Sequence, residues 1–300
     1  MSGLRHGVVL LPEHPWARAR ELWARAEKFG FDHAWTYDHL SWRTLRGGPW
    51  FGTVPTLTAA ATATSRIRLG TLVTGPAFRH PVTFAKELTT LDDISGGRIV
   101  CGLGAGAGGH DEEVLGAKPP SPVQRAERFE EFVELTDLLL RSPVTDYPGR
   151  YFTAVDAHTV PGCVQRPRVP FAVAATGPRG LRLAARYADI WVTAGRPGWG
   201  EPARYDRAVP RLAGQLRALE EACAAAGRDP ATVRRLVVTG AMIRGVSDSA
   251  SAYQDACGLF EAAGFTDVVS HWPRDGFPYQ GRIEVLEDIA RTVLTPGGAP

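Results

Sequence analysis

The stretch "RIRLGTLVTGPAFRHPVTFAKELTTLDDISGGRIVCGLG" (66–104) contains one whole structural repeat. An apolar run suited to a strand (66–73) passes through a Gly/Pro loop into a helical segment (81–97) closed by two glycines. A second apolar run (98–104) follows. Both runs are continuously apolar, which suits a parallel sheet covered by helices. Working outward, similar runs stand at "GVVLL" (7–11), "HAWTY" (33–37), "VPFAVAA" (169–175), "DIWVTA" (189–194), "RRLVVTGAMI" (234–243) and "FTDVVSHW" (265–272). Helical patterns separate them. Eight strand–helix units with no dividing linker predict one α/β domain over residues 1–300, a single-domain (β/α)8 TIM barrel. Residues 143–168, rich in Pro and Gly, form an irregular insertion, a loop or small hairpin. A doubly wound open sheet is the rival arrangement. Its first strand usually runs into Gly-x-Gly-x-x-Gly, whereas here that strand runs into "LLPEHPW".

The formal net charge is +2 with acids and bases interspersed, which argues against nucleic acid or an anionic membrane as the main partner. Cys101, Cys163, Cys223 and Cys257 form no Cys-x-x-Cys pair, so neither structural zinc nor a disulfide framework is expected. The apolar part of "MSGLRHGVVLLPEHPW" is too short for a signal peptide, and no run approaches the ~20 apolar residues that span a bilayer. A cytoplasmic location is expected.

Barrel chemistry sits where strands end, at the C-terminal rim. Asp38, His39 and Trp42 follow the second strand, in "AWTYDHLSW" (34–42). The adjacent acid and imidazole suit either a reaction centre or a helix cap beside a core histidine. The glycine run 102–109 lets backbone approach a flat or anionic ligand, or is a flexible loop. "ATGPRG" (175–180) straddles a helix start, where free N–H groups suit a phosphate; a plain strand-to-helix turn explains it equally well. There is no His-x-His pair, and His110, Asp111 and Glu112 follow glycines that cannot hold a rigid metal site. No lysine lies beyond Lys118 for a Schiff base, and no Gly-x-Ser-x-Gly elbow occurs. What is left is cofactor chemistry, with no metal.

"AWTYDHL", the block from Arg66 to Gly106, and "AATGPRGLRLAARYADIWVTAG" together resemble the luciferase-like monooxygenase superfamily, most closely its branch using the deazaflavin coenzyme F420. The resemblance covers most of the chain. It implies a flat ring in the barrel mouth, backed by a non-prolyl cis peptide at Leu72–Val73, with Thr74, Gly104, Gly106 and His110 around the cofactor. Asp38 would contact the ring, His39 would move a proton, and Thr176, Gly177, Arg179 and Gly180 would bind phosphate. Trp42, Trp50, Trp199 and Trp272 are candidates for a substrate wall.

The departures are informative too. The glucose-6-phosphate-oxidising members carry a catalytic glutamate where Ala107 stands and a phosphate-binding lysine where Pro197 stands; an asparagine of theirs corresponds to His110. The resemblance therefore implies an F420-dependent oxidoreductase passing a hydride between the deazaflavin and a small, apolar substrate that is not a sugar phosphate. C=C, C=N or C=O reduction is favoured. One alternative is an FMN-dependent monooxygenase; another is a non-catalytic deazaflavin-binding or partner subunit. A homodimer is expected from the same resemblance.

Overall fold

The computed structural model describes residues 3–106, 109–195 and 201–295. The elements run β1 (Arg5–Val9), α1 (Trp16–Lys28), β2 (His33–Thr36), α2 (Thr53–Ala63), β3 (Arg68–Thr71), α3 (Pro81–Ser95) and β4 (Ile99–Gly104). A short α4 (His110–Val114) and the long α5 (Pro122–Arg141) follow, then β5 (Val144–Pro148) and β6 (Thr153–His158). The second half holds β7 (Phe171–Ala174), α6 (Pro178–Tyr187), β8 (Ile190–Thr193), β9 (Ala203–Arg204), α7 (Tyr205–Ala225) and β10 (Arg234–Val238). It ends with β11 (Ile243–Arg244), α8 (Ala250–Ala262), β12 (Asp267–His271) and α9 (Ile283–Ile289). Eight strands close a parallel barrel in the order β1-β12-β10-β8-β7-β4-β3-β2. This is the expected TIM barrel. No described helix is long and apolar enough to cross a membrane.

The strands are apolar on both faces because both are buried. Val9, Trp35, Val100, Ile190, Leu236 and Val269 fill the bore, while Ala34, Leu69, Leu103, Val173 and Val268 pack outward with the helices. The stretch at 66–73 shows why its pattern is interrupted. Trp35 pairs with Gly70 across β2 and β3, and a Cβ on Gly70 would lie 2.5 Å from the indole. The bore has room for the tryptophan only because its neighbour has no side chain.

Below Trp35 the bore has a polar floor. Trp35 Nε1 donates to His33 Nδ1 at 2.6 Å, and His33 Nε2 faces Asp267 Oδ1 at 3.0 Å. An indole N–H only donates, so His33 carries its proton on Nε2, toward Asp267. Arg234 also binds both oxygens of Asp267. Burial would raise the Asp267 pKa, but the hydrogen bonds from His33 and Arg234 outweigh it and hold the carboxyl well below its usual range. His33, Arg234 and Asp267 open β2, β10 and β12, so the floor lies at the N-terminal end of the barrel.

The 143–168 insertion is the antiparallel hairpin β5–β6 followed by a loop with cis prolines at Val160–Pro161 and Arg166–Pro167. It leans on α5, with Tyr151 Oη donating to Glu127 and Tyr147 Oη to Glu134. Helix α5 begins three residues before the apolar pattern at 125 because Ser121 and Gln124 form a capping box.

Candidate active site

Alternation set by β2 sends Trp35 and, just past the strand end, Tyr37 into the bore, and Asp38 and His39 follow in the loop. The two neighbours then join separate networks. Asp38 is 3% exposed and accepts from Arg79 Nε at 2.6 Å, Arg79 Nη2 at 2.8 Å and Thr74 Oγ1 at 2.7 Å. Arg79 also donates to Glu87 at 2.9 Å. Burial works against the guanidinium charge, yet the bonds and charge of Asp38 with Glu87 raise its pKa further. Both oxygens of Asp38 thus accept from protein donors, one of them the Thr74 hydroxyl. Asp38, expected at the ring, anchors the β3–α3 loop, and Arg79 is the partner that sequence reading missed.

His39 turns the other way. Its Nδ1 lies 2.7 Å from Asp111 Oδ2, while Asp111 Oδ1 accepts from Leu40 N at 2.8 Å. Trp50 Nε1 donates to the His39 carbonyl at 2.8 Å, and Trp42 lies against the imidazole with centroids 4.7 Å apart. A carboxylate only accepts, so Nδ1 carries a proton and Nε2 remains for exchange with a ligand. Asp111 sits in the first turn of α4, just after the glycine run 102–109. His39, Trp42, Ala105, Gly106, Asp111 and Arg125 bound a cavity of about 180 Å³.

The remaining expected residues are spread around this centre. The Leu72–Val73 peptide bond is cis, at the position the resemblance implies. Thr74 pairs with Leu103, and Gly104, at the end of β4, donates its N–H to the Thr74 carbonyl. Gly106 follows with φ 74°. His110 opens α4, its Nδ1 3.6 Å from Glu113 Oε2. Beyond β7, Gly177 caps α6 without a side-chain bond, and a Cβ there would meet nothing within 4 Å. The first turn of α6 therefore has no side-chain cap, and Pro178 stands at its start. Arg179 reaches Glu130 at 3.3 Å, and Gly180 packs against Ala175.

Two of the four tryptophans, Trp42 and Trp50, meet at His39. Trp272 does not. It stacks on Phe29 at 5.8 Å under Arg25, outside the barrel, because His271 takes the inward position of β12. Trp199, with Ala107 and Pro197, lies outside the described residues. Among the described residues no group of three His, Cys, Asp or Glu side chains is placed to hold a metal ion.

Three proteins illustrate what the chain is similar to. A 5,10-methylenetetrahydromethanopterin reductase of Methanopyrus kandleri is 28% identical over 97% of this chain and 80% of its own length. An F420-dependent glucose-6-phosphate dehydrogenase of Beutenbergia cavernae is 36% identical over 63% of this chain, and the match spans 55% of that enzyme. The solved structure of an F420-dependent secondary alcohol dehydrogenase, in complex with an F420–acetone adduct, superimposes with a TM-score of 0.78. It is 20% identical, over 96% of this chain and 97% of that one. Residues 3–281 match the model of the luciferase-like monooxygenases, and the chain belongs to that family.

Proposed function

We propose that the protein is an F420-dependent oxidoreductase acting on a small, uncharged organic substrate, with His39 as its proton donor or acceptor. The observation that carries this reading is the His39–Asp111 pair at the mouth, 2.7 Å apart and walled by Trp42 and Trp50. Relatives named for F420 support the cofactor. When bound, reduced F420 supplies a hydride to a carbon of the substrate and scarcely reacts with oxygen.

The chain's own residues then have four tasks. Leu72, Val73, Thr74, Gly104, Gly106 and His110 would hold the flat ring. Thr176, Gly177, Arg179 and Gly180 would hold the phosphate at the start of α6. Asp38 acts through Arg79 and Thr74, fixing the loop that carries the cis bond. Asp111 orients the imidazole so that Nε2 delivers or accepts the proton that balances the transfer, and Trp42 and Trp50 exclude water around it. Ala107 and Pro197, in place of a glutamate and a lysine, are the reason for excluding a sugar phosphate. A homodimer and a cytoplasmic location belong to the same reading.

Absorbance titration with F420 and with FMN tests the cofactor: F420 binds tightly, and binding of FMN alone would overturn the proposal. The substitution His39→Ala lowers turnover by about 10²–10⁴ while F420 affinity stays near wild type. Unchanged turnover would remove the assigned role.

A further inference from the structure

Beside His39, the cavity of about 180 Å³ has a second acid in its wall, Glu112. It follows Asp111 in the first turn of α4, and successive helical positions point about 100° apart. Asp111 spends its oxygens on His39 and the Leu40 amide, while Glu112 borders the space itself. Pro119 and Pro120 border it too, and Pro119 lies so close to Gly109 that a Cβ there would stand 2.5 Å from it. Proline has no N–H, so this part of the wall offers a carboxylate no backbone donor.

Glu112 is 8% exposed, and among the described residues no donor reaches its carboxylate. Neither of its oxygens is sealed in, as Oε1 of Glu131 is, so the carboxylate opens on the cavity. The other buried acids among the described residues, Asp38, Asp92, Asp111, Glu131, Asp137 and Asp267, each accept at least one hydrogen bond. A carboxylate taken out of water without a donor costs stability, so the exception points to a partner that arrives from outside. Arg125, half-buried near the start of α5, lines the same cavity, and its guanidinium has no carboxylate partner among the described residues.

We infer that Glu112 is a specificity-determining residue of this site: its carboxylate accepts a hydrogen bond from a neutral hydroxyl or N–H that the substrate carries near its reacting carbon. Glu112 and His39 border one small space, so the donor and the carbon served by His39 belong to one compact molecule. At about 30 Å³ each, as in liquid water, the cavity takes about six heavy atoms. With Arg125 as a donor to a carbonyl oxygen, the substrate class is a hydroxy- or amido-carbonyl compound in place of a plain ketone. The inference rests on the oxidoreductase reading for its substrate, and it is tested by binding, without turnover.

The test is calorimetric binding of matched ketones, in which a hydroxyl replaces a methyl, to the full-length protein with and without F420. The pairs are 1-hydroxypropan-2-one with butan-2-one and 4-hydroxybutan-2-one with pentan-2-one, which set the hydroxyl at two distances from the carbonyl. In the wild type the hydroxyketone of at least one pair binds about tenfold tighter than its methyl partner, the gain from a hydrogen bond to a buried carboxylate. Glu112→Met keeps the length of the side chain, removes the acceptor and reverses that order, because an unmatched hydroxyl is then buried. Should that variant not fold, as its melting curve will show, Glu112→Gln retains the shape with a weaker, uncharged acceptor and lowers the preference at least about threefold. Tighter binding of the methyl ketone in both wild-type pairs, or a preference unchanged in the folded variant, would overturn the inference. A variant that weakens F420 at least about tenfold and leaves the ketone order unchanged assigns the carboxylate to a donor on the cofactor, which also overturns it. F420 bound with no hydroxyl preference refutes the role of Glu112 alone; a preference lost in the variant, without F420 binding, refutes the cofactor and leaves the role standing.

Discussion

Replacing Arg79 by methionine strands the carboxylate of Asp38 in the barrel rim. Asp38 is 3% exposed and Arg79's side chain 14%, so little water reaches the broken pair. Methionine keeps the apolar contact with Phe78 and Phe84, over which the guanidinium now lies at 5.1 and 5.2 Å. What is lost is two short charge-assisted bonds, and one of the three donors on Asp38, Thr74, is left. Breaking a buried ion pair from one side costs about 3–5 kcal/mol, so Arg79→Met is expected to destabilise by about 4 kcal/mol. Asp38→Asn leaves Arg79 with the half-exposed Glu87 and should cost about 2 kcal/mol. The double variant buries no uncompensated charge and keeps a Thr74 bond to the amide. It should cost about 3 kcal/mol, well below the sum, which gives a coupling of about 3 kcal/mol. Urea unfolding of the four proteins at pH 7, followed by tryptophan fluorescence, measures the cycle. A coupling below about 0.5 kcal/mol would refute the view that Asp38 acts through Arg79.

Three other outcomes follow from the same geometry. Asp111→Asn weakens the orientation of His39 and should lower kcat about 10–100-fold with KM little changed, moving the pH–rate profile; a profile and rate identical to wild type would exclude a positioning role. Gly70→Ala places a Cβ 2.5 Å from Trp35 and 2.8 Å from the Val100 carbonyl, and overpacking of this kind costs about 2 kcal/mol, a fall of about 4–8 °C in Tm by circular dichroism. An unchanged Tm would mean that Trp35 does not fill the bore as described. His271 has its pKa pushed down by burial to about 3 from 6.5, with the Thr239 backbone offsetting only part of the effect. The unfolded chain therefore takes up a proton that the folded one refuses, and stability falls as pH drops below 6.5 toward 3, by up to about 1.4 kcal/mol per pH unit. His271→Phe should flatten that limb in urea midpoints between pH 7 and pH 4, and parallel curves for both proteins would refute it.

The barrel was legible because both faces of every barrel strand are buried, which leaves continuous apolar runs whatever the register. The site was legible only where its parts are local. "AWTYDHLSW" carries His39, Trp42 and Trp50's neighbourhood in one turn of chain, and its two chemical residues separate on leaving the strand. Arg79 sits in "TGPAFRHP" with no local sign of its partner, 41 residues upstream. Asp111 belongs to an acidic trio of equal appearance, and only the turn of α4 aims it at His39 rather than its neighbours. Trp272 illustrates the cost of a single step along a strand. One residue decides bore or helix layer, and the inward place belongs to His271, a less conspicuous side chain.

The plug formed by Trp35 over His33, Asp267 and Arg234 has a kinetic meaning. A bore stopped at its base has one door, so everything that enters the mouth must leave across the same rim. Two occupants of such a vessel queue: the one nearer the base arrives first and departs last. On the proposed function, a flat cofactor seated against the strand ends would enter before the substrate, and because one hydride transfer spends it, product would have to leave before it could be exchanged.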